Sequence, residues 1–242
     1  MRLIYITIIA IFVTSCSVSK VLQKSLNSYK APIGYLHDSR KTDVPATDSM
    51  VIRMNNQPLD SLTKVSRLHG LFLPLIVFNY SELNMSVKLG QNSIQQSYPD
   101  FFADSFTEES KRTGCFGITN REPTDSLYTL DITIDTCITN SKYRRTTTVM
   151  FLFFAYSMSF GEMGFPAETN LQVTTKLRKG NVLIAEKRYS IKHKQPFLNS
   201  VQRNPDRLRF EFTENMVESL SLSTKQCVED VVKDINSSLK KN

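Results

Sequence analysis

From Tyr128 to Asp135 the chain alternates without a break. Tyr128, Leu130, Ile132 and Ile134 fall on one side, and Thr129, Asp131, Thr133 and Asp135 on the other. Successive side chains of an extended strand point to opposite faces, so this segment is suited to lie with one face on a core and the other in water. The pattern recurs with Leu171, Val173, Thr175 and Leu177 against Asn170, Gln172, Thr174 and Lys176. It ends at the turn sequence Lys179-Gly180-Asn181, after which an extended run goes from Val182 to His193. Two such runs joined so briefly predict an antiparallel hairpin.

A sheet with one apolar face needs a cover, and two segments carry helical spacing. In residues 92–112, Ile94, Tyr98, Phe101, Phe102 and Phe106 recur at helical intervals, acidic residues lead and basic ones trail. Pro99 suits a first turn, so the helix is expected to begin near Tyr98 and to stop at Gly114. Towards the end of the chain, Thr213 is expected to cap a helix with Met216, Val217, Leu220, Thr224, Cys227, Val228, Val231, Ile235 and Leu239 on one stripe. Leu71 to Phe78 reads as a largely buried strand, with Pro74 implying an edge or bulge. Met85 to Leu89 and Cys115 to Ile118 read as short strands, while residues 51–68 stay ambiguous. The expected fold is α+β: a single, mostly antiparallel sheet with two helices packed on it, behind a flexible N-terminal tether.

The tether begins after an address. Met1-Arg2 supplies one positive charge, Leu3 to Val13 are uncharged and mostly apolar, and Thr14 and Ser15 precede Cys16. That order is a signal peptide's, and about 11 residues are too few for a bilayer-spanning helix, which needs about 20. Val13-Thr14-Ser15-Cys16 resembles the bacterial lipobox, in which small residues precede a cysteine that is acylated before cleavage. The resemblance implies a signal peptide over 1–15, lipid on Cys16, and a tether over 16–50 leading to a domain at 51–242. Several acyl chains anchor stably where one holds marginally. No Asp follows Cys16, which for such lipoproteins implies the outer membrane. No acidic run follows either, which implies the periplasmic face.

One segment stands apart. Val149 to Phe160 is the most hydrophobic stretch after the signal sequence, preceded by Lys142, Arg144 and Arg145 and followed by Gly161 to Pro166. Residues 149–165 are read as a hydrophobic insert in the domain, and three readings of it stay open. It is a buried helix or core strand; or a surface that inserts Met and aromatic side chains into lipid or a protein partner; or part of an oligomeric membrane hairpin. A pore strand should alternate between lipid and lumen, and Val149 to Tyr156 is apolar throughout, so the third ranks last. The contact candidates are Arg144, Arg145, Phe151, Phe153, Phe154, Tyr156 and Phe160.

Little points to catalysis. Gly161-Glu162-Met163-Gly164 lacks the spacing and the lysine of a phosphate loop. Asp131 and Asp135, on one strand face, stand about 13 Å apart, too far for paired carboxylate chemistry. His37, His69 and His193 are scattered, and no metal-ligand spacing exists. Cys115, Cys137 and Cys227 are expected to be buried free thiols, with Cys115 opening one strand and Cys137 closing the next. A net charge of +7 favours anionic headgroups as partners of an envelope protein before nucleic acid. The element order behind the lipobox resembles the small α/β domains of envelope-assembly lipoproteins, the lipopolysaccharide-assembly and curli-secretion types. That implies a non-enzymatic accessory of outer-membrane assembly or transport, without cofactor or metal, binding a protein partner or lipid. A self-associating structural or pore-related lipoprotein is the alternative.

Overall fold

The computed structural model describes residues 19–35, 49–56, 59–74, 78–113, 116–119, 127–152, 155–195 and 204–240. Its organising element is one strand, β5 (Tyr128–Leu152), 25 residues long. At about 3.3 Å per residue its contour is about 80 Å, more than one core can cover. The two halves of β5 therefore belong to two parts of the same sheet.

The first half builds the body. It pairs antiparallel with β7 (Glu168–Lys179), which forms the expected hairpin with β8 (Val182–Lys194). Gly180 turns that hairpin at φ 56°, in the left-handed region that glycine enters without strain. On its other side β5 pairs parallel with β1 (Ser49–Asn56), and β1 pairs parallel with the short β4 (Gly117–Ile118). The second half of β5 pairs antiparallel with β3 (Phe78–Lys88) and with β6 (Ala155–Gly164), and β3 carries β2 (Lys64–Pro74) at its outer side. The eight strands among the described residues form one sheet.

Helices cover one face of the body. α2 (Tyr98–Thr113) buries Tyr98, Phe101, Phe102 and Phe106, and packs against α3 (Pro205–Leu239). The expected stripe of α3, from Met216 to Ile235, is buried against β7 and β8, where it meets Leu171, Val173, Leu177, Tyr189 and Ile191. The side chains of Leu130, Ile132 and Ile134 are fully buried. Burying one such side chain stabilises by about 1.5–3 kcal/mol.

The α+β class holds, and four expectations are corrected. The sheet is mixed, because β1 runs parallel between β4 and β5; the Cys115–Ile118 and Tyr128 strands are thus not neighbours, and Cys137 lies mid-strand rather than at a strand end. Among the described residues there are three α-helices, not two. Residues 19–28 form α1, which buries Leu22 and Leu26. The chain then follows the helical layer: Ala31 bridges Ile94, the Tyr29 ring meets Phe210 edge-on at 5.8 Å, Ser221 donates to the Gly34 carbonyl, and Tyr35 donates to Glu109 at 3.1 Å. Residues 19–35 are thus seated on the body rather than acting as a flexible tether. Finally, α3 starts at Pro205, not after Thr213. Asn204 accepts from the Asp206 and Arg207 amides, Pro205 fills the first position, and Thr213 instead donates its hydroxyl to the Arg209 carbonyl within the helix. Gly114 lies outside the described residues.

Candidate functional site

Beyond Tyr143 the sheet leaves the helices behind. β2, β3, the end of β5 and β6 make a four-stranded antiparallel arm, and the segment from Tyr143 to Leu152 extends about 30 Å by strand rise. On the face continuous with the helical side, Thr147 pairs with Phe160 and Val149 with Met158, while Phe72 lies opposite Ser81. On the other face Leu71, Leu73 and Met150 follow one another towards the tip, beside Tyr80. Met158 is 50% exposed, Phe160 54%, Leu73 48% and Met150 41%. Both faces thus expose large apolar side chains. Monomeric soluble surfaces rarely keep such patches unless something covers them.

The root of the arm is fastened to α3. Glu162 on β6 is buried and accepts from Arg209 at 2.7 and 3.0 Å and from Tyr143 at 2.5 Å, with Arg145 at 3.8 Å. Burial, then the bond to Glu162, pushes the Tyr143 hydroxyl far above its ordinary pKa. The Tyr143 ring meets Phe212 edge-on at 5.2 Å. Gly164 allows this approach, since a Cβ there would lie 2.6 Å from the Phe212 ring. On the opposite face Glu82 accepts from Asn84 and Tyr80, which hold its carboxyl below the usual range, and Arg144 stands 3.3 Å away. His69 shares a hydrogen bond with Asn84 at 2.8 Å.

These contacts settle where the expected site residues fall. Arg144 and Arg145 do not reach out as free cations: each has a carboxylate, and Arg144 lies over Phe165 and Arg145 over Phe160. Phe160 is exposed as the contact reading requires. Phe151 and Tyr156 pair across the hairpin, but their side chains lie outside the described residues, as do Phe153, Phe154 and Cys16. The buried-core reading of 149–165 is overturned at Met150, Met158 and Phe160. Leu71 to Phe78 is likewise no buried strand: Leu71 and Leu73 are exposed on an edge strand, and residues 75–77 lie outside the described residues. The edge placement implied by Pro74 agrees with its position at the end of β2.

Sequence alone does not show that β3 pairs with the start of the 149–165 segment or that β2 extends the sheet beyond β3. The available signal was two apolar, uncharged runs, 71–78 and 149–160, each able to end an exposed hairpin.

Elsewhere, Asp131 pairs with Arg178 at 3.5 Å, and Asp135 accepts from Thr174 with Arg188 at 3.9 Å, as cross-strand pairs on a solvated face. Cys137 and Cys227 are free thiols that burial pushes up to about 12, and Cys115 lies outside the described residues. No group of three potential metal ligands occurs among the described residues, and none of their helices is long and apolar enough to cross a membrane.

No family model matches the chain, and no curated protein does. Among solved structures it is similar to protein XCC0632 from Xanthomonas campestris, assigned to the family DUF330. The identity is 12%, the match covers 88% of this chain and 96% of that one, and the TM-score is 0.45.

Proposed function

We propose that this chain is a non-enzymatic lipoprotein of the bacterial outer membrane, anchored by lipid on Cys16 and facing the periplasm, whose β-arm docks onto a protein partner during envelope assembly or transport. The observation that carries the docking role is an arm apolar on both faces near its tip and open along both edges. Among the described residues, β2 and β6 each pair on one side only. From Ala155 to Phe160 the β6 edge carries no charge and no proline, the devices that usually discourage strand addition. A lone arm in hydrocarbon would leave two rows of unpaired amides and carbonyls, at several kcal/mol per group. A protein satisfies both demands by adding a strand and covering the faces. The sequence Val13-Thr14-Ser15-Cys16 supports the anchor.

A specific observation favours a second reading, in which the partner is another copy. The four arm strands alternate in direction, so β2 and β6 run opposite ways. Side-by-side copies can therefore join β2 to β6 antiparallel and close a ring.

The test places a photo-crosslinking amino acid at Phe160 of the full chain in intact cells, with Lys111 on α2 as control. A discrete adduct from position 160 of other than twice the subunit mass is expected, lost in a Met158→Ser variant. A product of twice the mass selects self-association. No adduct, or the same adducts from position 111, overturns docking by the arm. Independently, Cys16→Ala should release the protein from membranes, and retention would overturn the anchor.

A further inference from the structure

A separate feature lies on the uncovered face of the sheet, at the elbow where body becomes arm. β7 ends on β5 at Glu168 opposite Asn140, and β6 takes over at Gly164 opposite Tyr143. The intervening residues swing out of the ladder. The Phe165 amide donates to the Lys142 carbonyl at 2.9 Å, and Ser141 donates to the Phe165 carbonyl at 2.6 Å. The break leaves a cleft of about 840 Å³, walled by Phe165 and Pro166, with Lys142, Lys192 and Lys194 at its rim.

Three cations gather there, whereas elsewhere on this face Arg53, opposite Asp131, stands without an ion pair to a described residue. On the same face Arg178 has Asp131, Arg188 has Asp135, Lys176 has Glu186 and Arg144 has Glu82. In the cleft three lysines face one carboxylate, Glu168, and no ion pair joins any of them to a described residue. Lys192 and Lys194 are alternate residues of β8, about 6.6 Å apart. Lys142 lies two strands across, so flexible lysine stems from both walls can reach one anion. Three ammonium groups less one carboxylate leave +2, which matches the charge of about −1.5 to −2 on a phosphate monoester at neutral pH. Asn140 and Asn170 lie between the two walls, and the Asn170 side-chain oxygen is buried with no donor.

We infer that the elbow cleft binds a phosphate monoester borne on a hydroxylated carbon skeleton. Lys142, Lys192 and Lys194 hold the phosphate oxygens, the Asn140 and Asn170 amides take the hydroxyls, and the Phe165–Pro166 wall covers adjoining carbons. The ligand is either a free polyol phosphate or a lipid headgroup of that chemistry. The inference does not depend on the arm's docking role.

Calorimetric titration of the full chain with glycerol 3-phosphate, with inorganic phosphate, and with vesicles of phosphatidylinositol 4-phosphate, a phosphate monoester on a hydroxylated ring, in phosphatidylcholine tests it. Saturable binding of glycerol 3-phosphate is expected, weakened at least about tenfold in Lys142→Gln/Lys192→Gln/Lys194→Gln. It should be little changed in the charge-matched Lys111→Gln/Lys233→Gln/Lys240→Gln. Asn170→Ala should weaken glycerol 3-phosphate a few-fold and leave inorganic phosphate unaffected. Cleft-dependent binding of the vesicles alone identifies a lipid source, and binding of both identifies the shared headgroup. Absence of saturable binding in every arm, or an equal loss in the charge-matched control, overturns the proposal.

Discussion

The same strand lives two lives in this molecule. In the body, β5 alternates Leu130, Ile132 and Ile134 inward with Thr129, Asp131 and Thr133 outward, and α3 and α2 lie over the inward side. In the arm, the strand reads Thr146-Thr147-Thr148-Val149-Met150, with no helix of the described residues over it and apolar groups turned to both sides. The edges differ in the same sense. β8, at the body's edge, carries Glu186, Lys187, Arg188, Lys192 and Lys194, and Lys187 and Tyr189 are tied to Asp234 of α3. The outer half of β6 is uncharged. The body's sheet is covered and charge-guarded within the chain, whereas the arm, bare and apolar among the described residues, is the part that the proposed docking would cover.

Mutations should separate these halves by size of effect. The largest loss is expected in the body, where Ile132→Ala leaves a cavity in a packed core and should lower unfolding free energy by about 2–5 kcal/mol in urea titration. A loss as small as an arm substitution gives would break the contrast. Next comes the junction: Glu162→Ala leaves Arg145 without a carboxylate and Arg209 with only the exposed Asp206 at 3.3 Å, and should cost about 3 kcal/mol. Arg209→Met in the same chain should recover part of that, measured as a double-mutant cycle.

The body's thiols give a pH-dependent contrast. Folded Cys137 and Cys227 sit at about 12 against an ordinary value near 9.0, so the fold favours their neutral forms. Their contribution to stability is complete below pH 9 and declines as pH rises from there through about 12. At pH 8 iodoacetamide should label neither in the native protein and both after unfolding, read by mass spectrometry. Smallest in stability is Met158→Ser/Phe160→Ser at the tip, expected within about 0.5 kcal/mol of the parent. The same variant should abolish crosslinking from the neighbouring strand position Thr147. A large stability loss there would return the tip to the core.

Much of the body was legible. Period-two alternation at 128–135 and 170–177 fixed the strands and their buried faces, because a half-covered sheet imposes that pattern locally. The stripe on α3 is equally plain, but not its start: Asn204-Pro205-Asp206 is a cap, a first-position proline and an early acid, whereas the apolar stripe, which points to Thr213, begins only after it. The site was legible only as composition. Residues 149–160 were marked as odd by hydrophobicity, and Arg144 and Arg145 as their flanking cations. Their partners Glu82 and Glu162 lie far off or across a hairpin, and no local pattern pairs them.

Sequence alone determined the class, the half-buried strands of the body, the helical stripes and the expectation of lipid on Cys16, because each rests on neighbours within a turn or a few residues. Tertiary structure decided that β1 enters parallel, that residues 19–35 lie along the helices, that β5 outruns its cover and that three lysines meet at the elbow. Those outcomes depend on which distant strands pair. An apolar run reads the same whether a helix covers it or nothing in the chain does, since hydrophobicity records the need for burial and not its source.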